Sequence, residues 1–228
     1  MMRKKIIVFG ASGFLGKHFL IANKTHELVC INRSEYSLPY AKRNFTYKSI
    51  KNIISDGPYD VAIDFSSNVS VETFLKSPMK SFLNNIKIPI NNLNLLDEIN
   101  FKGRYFLISS DRALIENYGS IYLNSQDINV DPYGASKYVA EIIATYASNL
   151  NWEPPTIFTF PNIYGPYQTS SQLIPKIMGI LKTGQNIVEV NSFKGSRNYL
   201  YVEDAINAIK VALDMTNIQK RIAISEVI

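Results

Sequence analysis

Apolar runs alternate with helical patterns along the chain. Ile6 to Phe9 is an unbroken apolar run stopped by glycine, the pattern of a strand buried on both faces of a parallel sheet. Phe14 to Asn23 then reads as a helix, and Glu27 to Ile31 as a second strand closed by Asn32-Arg33-Ser34. A weak strand falls near Phe45 to Tyr47, a strong one at Tyr59 to Phe65 and another at Arg104 to Ser109. Ser81 to Glu98 keeps a helical pattern through Pro89. Pro132 opens a helix reaching about Leu150, because a first-turn proline loses no hydrogen bond. Pro155 to Phe160 is the next strand; Gln172 to Lys182 and Glu203 to Met215 are helical. Strands alternating with helices predict an α/β fold, a doubly wound parallel sheet with right-handed crossovers. Ligands of such sheets sit beyond the carboxyl ends of the strands, so the residues there carry the functional reading.

Composition narrows the picture. At 228 residues and 46% hydrophobic, the chain can bury a sizeable core without disulfide or metal. The net charge of +5 comes from scattered residues, which suits a solvated surface and tolerates a phosphate-bearing ligand. No dense basic run points to nucleic acid. Cys30 stands alone in an apolar run, a buried thiol, and His18 and His26 alone make no metal-ligand spacing. No signal segment and no apolar stretch of ~20 residues is present, so a cytoplasmic setting without membrane contact is expected.

The first strand end carries Gly10-Ala11-Ser12-Gly13-Phe14-Leu15-Gly16. Gly10 allows a tight turn, Gly13 a close approach of pyrophosphate to the backbone, and Gly16 the packing of helix on strand. The helix N-terminus offers free N–H groups and partial positive charge. Gly10, Ser12, Gly13, Phe14, Leu15 and Gly16 are therefore expected to hold a dinucleotide. At the second strand end a carboxylate would bind the ribose of NAD. Asn32 and Arg33 stand there instead, and arginine suits a 2'-phosphate, so NADP is preferred, with NAD left open by Glu35.

Tyr133-Gly134-Ala135-Ser136-Lys137 begins a helix, and the spacing of four puts Tyr133 and Lys137 on one face. A lysine cation is expected to lower the phenol's pKa, letting the pair exchange a proton with a substrate oxygen while hydride moves at carbon. Such a pair alone is as readily surface decoration. Ser110, just past the strand ending at Ser109, is expected over the same crevice, where its hydroxyl would hold that oxygen.

These segments, together with Glu141, Asn162-Ile163-Tyr164-Gly165-Pro166 and Arg197-Asn198-Tyr199-Leu200-Tyr201-Val202-Glu203-Asp204, resemble the extended short-chain dehydrogenase/reductase family, in its sugar-nucleotide epimerase/dehydratase/reductase branch. The motifs run in family order over nearly the whole chain. The resemblance implies a Rossmann domain over 1–160 and a small, shortened substrate-binding lobe with returning Rossmann elements over 161–228. It implies Ser110, Tyr133 and Lys137 as catalytic residues. Ser66, Ser67 and Ser109 would join Tyr133 and Lys137 along the cofactor, and Asp111, Asn162 and Arg197 would meet a nucleotide-diphosphate sugar. It also implies a homodimer packed through the helices at 81–98 and 132–150. The chain departs from the pattern in several places. Asp111-Arg112 stands where 4,6-dehydratases carry Asp-Glu, which argues against dehydration. Leu114-Ile115 replaces a tyrosine-glycine pair, Asn198 replaces an aspartate, and the family ordinarily runs well beyond Val202-Glu203-Asp204. Three readings follow: NADPH-dependent reduction of a 4-keto-deoxysugar, epimerisation with tightly held NAD, or a catalytically silent nucleotide-binding regulator.

Overall fold

The computed structural model describes residues 2–33, 38, 40–69, 71–114, 131–151, 153–169, 172–185, 187–189 and 197–224. Ser34, Glu35 and Ile115 lie outside them. The main elements are β1 (Lys5–Phe9), α1 (Phe14–Ala22), β2 (Glu27–Asn32), β3 (Arg43–Thr46), α2 (Ile50–Asp56), β4 (Val61–Asp64), α3 (Val71–Lys76) and α4 (Pro78–Glu98). They continue with β5 (Arg104–Ser110), a 3-10 turn (Asp111–Ala113), α5 (Pro132–Asn151), β6 (Thr156–Phe160), β7 (Asn162–Tyr164), α6 (Leu173–Lys182), β8 (Tyr199–Tyr201), α7 (Val202–Asp214) and β9 (Arg221–Ala223).

Seven parallel strands form one sheet in the order β3-β2-β1-β4-β5-β6-β9. The alternation of side chains along each strand divides the core. Ile6, Val8, Leu28, Cys30, Ile63, Phe106 and Phe158 face a layer containing Phe19 of α1 and Ile206 and Ile209 of α7. Ile7, Phe9, Val29, Ile31, Tyr105 and Leu107 face the other, with Ile53 of α2, Leu93 and Leu96 of α4 and Ala144 of α5. Helices cover both faces, so this is the doubly wound Rossmann-type sheet expected. The strand order reverses between β1 and β4, which opens a crevice at their carboxyl ends. Cys30 is buried, and burial pushes its thiol up to about 12.

Some elements differ from the periodicity reading. β4 begins at Val61 rather than Tyr59, because the Tyr59 side chain turns back onto α2, its hydroxyl donating to the Ile53 carbonyl at 2.7 Å. The short helices α2 and α3, the ribbon β7–β8 and strand β9 carried too few periodic positions to register. β7 pairs in parallel with β8 outside the main sheet. Arg104 ties the returning chain to the sheet, its guanidinium donating to the carbonyls of Ala212, Leu213 and Met215 at the end of α7. Among the described residues no helix is long and apolar enough to cross a membrane, and no cluster of His, Cys, Asp and Glu could hold a metal ion.

His26 is buried at the opposite end of the sheet, its Nδ1 accepting from the Lys4 backbone N–H at 3.2 Å. Burial holds its pKa below the ordinary 6.5, against an opposing pull from Asp214. A histidine with a depressed folded pKa takes up protons more readily once unfolded. Its contribution is therefore complete above 6.5 and lost as pH falls below that value. The wild type is expected to lose stability between about pH 7.5 and about pH 5.5, and His26→Asn to show a shallower loss. Urea unfolding at the two pH values checks this; equal slopes would remove His26 as the cause.

Candidate active site

The turn after β1 is built on missing side chains. Gly10 adopts φ +69°, and a Cβ there would stand 2.7 Å from the Ser66 amide nitrogen and 2.8 Å from the Phe65 carbonyl carbon. The turn thus rests directly on the residues leaving β4. A Cβ on Gly16 would lie 2.4 Å from the Gly10 carbonyl oxygen and 2.6 Å from the Ala11 Cα, so only glycine lets α1 sit this close. Gly13 is the N-cap of α1 and supplies no side-chain cap. A Cβ there would meet only the Gly10 oxygen, at 3.2 Å, leaving its outer side open. Uncapped N–H groups at the start of a helix, beside an open glycine, are what a pyrophosphate requires. Ser12 is exposed, and Phe14 and Leu15 are partly so.

At the end of β2, Asn32 Nδ2 donates to Asn44 Oδ1 of β3 at 3.5 Å, which ties the two strands together. Arg33 is exposed beside it, and its charge reaches Tyr47. A cation therefore stands at the edge of the crevice on the β2 side.

On the other side, Ser110 ends β5. Its Oγ accepts from the Arg112 N–H at 3.3 Å and donates to Asp111 Oδ1 at 3.0 Å. Tyr133 begins α5, its N–H donating to Asp131 Oδ1 at 3.1 Å. Its ring meets Phe74 edge-on at 5.9 Å and lies under the Arg112 guanidinium at 5.1 Å. Ser67 stands beside the phenol and favours its phenolate, while its buried Oγ reaches full hydrogen-bond geometry with no group among the described residues. A buried hydroxyl so placed fits a site that receives a polar ligand.

The electrostatics depart from the expected lysine effect. Burial pushes the Tyr133 phenol up to about 12, and the Ser67 hydroxyl and Arg112 charge pull against it. Asp131 and Asp111 add to the rise. Lys137 is buried and turned to the Ile108 carbonyl, 2.6 Å from its Nζ. Burial holds its pKa below the usual ammonium value, with Asp64 and Glu141 opposing. In this arrangement desolvation dominates the phenol, and the cation acting on it is Arg112 rather than Lys137.

Ser109 faces the other way along the strand. Its hydroxyl donates to Glu141 on α5, and Glu141 is clasped by Arg221 of β9 at 2.5 Å. Its side chain is thus committed to docking the sheet edge on α5. Ser66 is similarly engaged, its N–H donating to Asp64 Oδ1 at 2.7 Å and its Oγ lying 3.3 Å from Asn92 Nδ2. Asn162 Nδ2 donates to the Asn198 carbonyl at 3.3 Å, which brings exposed Arg197 to the same end of the β7–β8 ribbon.

Several polar residues escaped the sequence reading. The buried Asp64 carboxylate accepts from Asn92 Nδ2 at 2.6 Å, the Tyr105 hydroxyl at 2.9 Å and Ser66 N. Asn85 accepts from Asn68 N at 2.7 Å and donates to Ser136 Oγ at 3.1 Å, bridging the β4 loop to α5. Asn85 and Asn92 are seven apart on α4, two turns along one face; that spacing was the available signal.

Residues 6–224 match the model of the NAD dependent epimerase/dehydratase family, and the chain belongs to that family. It is 27% identical to a dTDP-D-glucose 4,6-dehydratase of Dictyostelium discoideum, over 92% of this chain and 55% of the relative. The chain thus spans about half the length of that relative, and 35% of a trifunctional UDP-glucose 4,6-dehydratase/epimerase/reductase of Arabidopsis thaliana, 27% identical over 92% of this chain. A UDP-N-acetylglucosamine 4-epimerase from Methanobrevibacter ruminantium M1 shares the fold with TM-score 0.76 at 19% identity, over 99% of this chain and 77% of its own.

Because its missing Cβ faces backbone atoms that cannot swing aside, Gly16→Ala is expected to destabilise the fold by about 1–3 kcal/mol. Urea unfolding measures it; a loss under about 0.5 kcal/mol would mean that the turn yields freely.

Proposed function

We propose that the chain is an NAD(P)-dependent oxidoreductase of nucleotide-linked sugars, with NADPH-dependent reduction of a 4-keto-deoxysugar as the reaction it is best built for. The observation that carries this is the placing of two features at the carboxyl ends of the neighbouring strands β1, β4 and β5. An uncapped glycine turn lies at the ends of β1 and β4, and Ser110, Tyr133 and Lys137 lie at the end of β5 and the start of α5.

Gly10, Gly13 and the first N–H groups of α1 would hold the pyrophosphate, with Arg33 toward the adenosine end and Ser67 near the reacting end. A nicotinamide, when bound, would supply hydride for the carbonyl carbon. The chain handles the proton. Ser110 would hold the carbonyl oxygen, and Tyr133 would give that oxygen its phenolic proton as the C–H bond forms. The product is an alcohol and a phenolate, which solvent reprotonates. A phenol pushed up to about 12 is protonated at neutral pH, the form that reduction consumes, but it is a weak acid, so its proton transfer needs a nearby positive charge to stabilise the phenolate. Arg112 in place of a carboxylate leaves no acid beside Asp111 to expel water from the sugar. Asn162 and Arg197 would meet the diphosphate, where a guanidinium fork suits paired phosphate oxygens.

Epimerisation with retained NAD is the second reading, favoured by the neighbouring UDP-glucuronic acid 4-epimerase from Bacillus cereus, whose structure holds UDP-glucuronic acid and NAD. We propose too that two copies pair through α4 and α5, where Met79, Leu83, Ile142 and Tyr146 expose apolar surface.

NADPH oxidation with a nucleotide-linked 4-keto-6-deoxysugar tests the main reading. Stoichiometric consumption is expected, whereas catalytic interconversion of sugars without net consumption would favour epimerisation. Tyr133→Phe is expected to cut turnover by about 10²-fold or more while cofactor affinity holds. Undiminished turnover would overturn the assignment of Tyr133. Arg33→Ala is expected to weaken NADP much more than NAD in fluorescence titrations; equal losses would remove the case for NADP.

A further inference from the structure

We propose that Arg112 is a positioning residue for the Tyr133 phenol: pinned by Asp131, its guanidinium fixes the ring at the start of α5 and supplies the positive charge that stabilises the phenolate left by proton transfer. This rests on Tyr133 acting as the proton donor.

The geometry assigns Arg112 to three neighbours at once. Its own N–H donates to Ser110 Oγ at 3.3 Å, which sets the 3-10 turn beside the end of β5. Its Nε lies 2.5 Å from Asp131 Oδ2. Its Cζ stands over the face of the Tyr133 ring, 5.1 Å from the centroid. Asp131 in turn accepts the Tyr133 N–H at 3.1 Å through Oδ1 and the Ala135 N–H at 2.9 Å through its carbonyl, so it also anchors the first turn of α5. One side chain therefore joins the turn that carries Ser110 to the helix start that carries Tyr133.

A guanidinium suits this position because it is planar, always charged, weakly hydrated and stacks on aromatic faces. Lys137, the expected partner of the phenol, has its ammonium on the Ile108 carbonyl instead. The groups acting on the phenol are the Ser67 hydroxyl, the Arg112 cation and the Asp131 and Asp111 carboxylates. Arg112 is the first cation among them. Its pull is moderated by Asp131 and by solvent, since the Arg112 side chain is 39% exposed. A modest effect on the phenol–phenolate balance follows.

Tetranitromethane nitrates phenolate, so the rate at a chosen mildly alkaline pH reads the phenolate fraction without any turnover. Nitration of Tyr133 would be followed by peptide mass spectrometry, with exposed Tyr167 in the same sample as reference. Arg112→Met is expected to slow Tyr133 nitration about three- to tenfold relative to Tyr167, and Arg112→Lys to restore most of the rate. A side chain that merely covered the ring would give the opposite sign, because removing it exposes the phenol. Unchanged or faster nitration in the methionine variant, or equal slowing in the lysine variant, would overturn the proposal. Arg112→Gln carries the same expectation should the methionine variant fold poorly. Loss of the enzymatic reading would appear separately, as wild-type protein that neither binds cofactor nor reduces a keto-sugar.

Discussion

The contact on which the site depends is backbone against backbone. The β1–α1 turn can press on Phe65 and Ser66 only because Gly10 carries no Cβ and accepts a left-handed φ of +69°. Gly16 brings α1 onto the same turn by the same omission. A side chain at Gly10 would push the turn off the β4 exit, and one at Gly16 would push α1 off the turn. The groove where β1 and β4 diverge would then lose its floor. Its shape comes from chain geometry at a topological switch point, and the chemistry is added around it.

A buried carboxylate holds the other half of that contact. Asp64 receives the Ser66 N–H, the Asn92 amide and the Tyr105 hydroxyl, so the strand exit under the turn is held by three hydrogen bonds from three elements. A buried charge is tolerable when its lone pairs are satisfied in this way. Glu141 works similarly at the sheet edge, taking the Ser109 hydroxyl on one side and Arg221 on the other. β9 is only three residues long and gains from this clasp what its short ladder does not supply. Both carboxylates also act on Lys137, which keeps that buried ammonium more basic than burial alone would. The frame of the sheet and the charge of the site are thus set by the same groups.

The proton chemistry proposed for the site depends on competition between burial and charge at Tyr133. Burial prevails, so the resting group is a neutral phenol, and the cation that most opposes burial is Arg112. That residue stands where a dehydratase-like pattern would put a carboxylate. One substitution of sign would both withdraw an acid and add a counterion for the phenolate.

The sequence alone determined the parallel strands of the sheet's centre, since β1, β2, β4, β5 and β6 are short, mostly apolar segments of strand length. It determined the glycine turn too, because positive φ and missing side chains can be read from residue type. The pairing of Tyr133 with Lys137 was legible as a spacing, but its electrostatic consequence was not. Which cation faces the phenol depends on where Lys137 finds a carbonyl and where the 3-10 turn aims Arg112, and both follow from packing between β5 and α5. The same limit hid Asp64 and Asn92, which meet across 28 residues, and the arginine partner of Glu141, 80 residues further on. β7, β8 and β9 have three residues each, too few to show a period, and exist because neighbouring strands complete their hydrogen bonds. Local pattern reports what a segment can become; only the folded chain decides which distant polar groups must satisfy one another once water is gone.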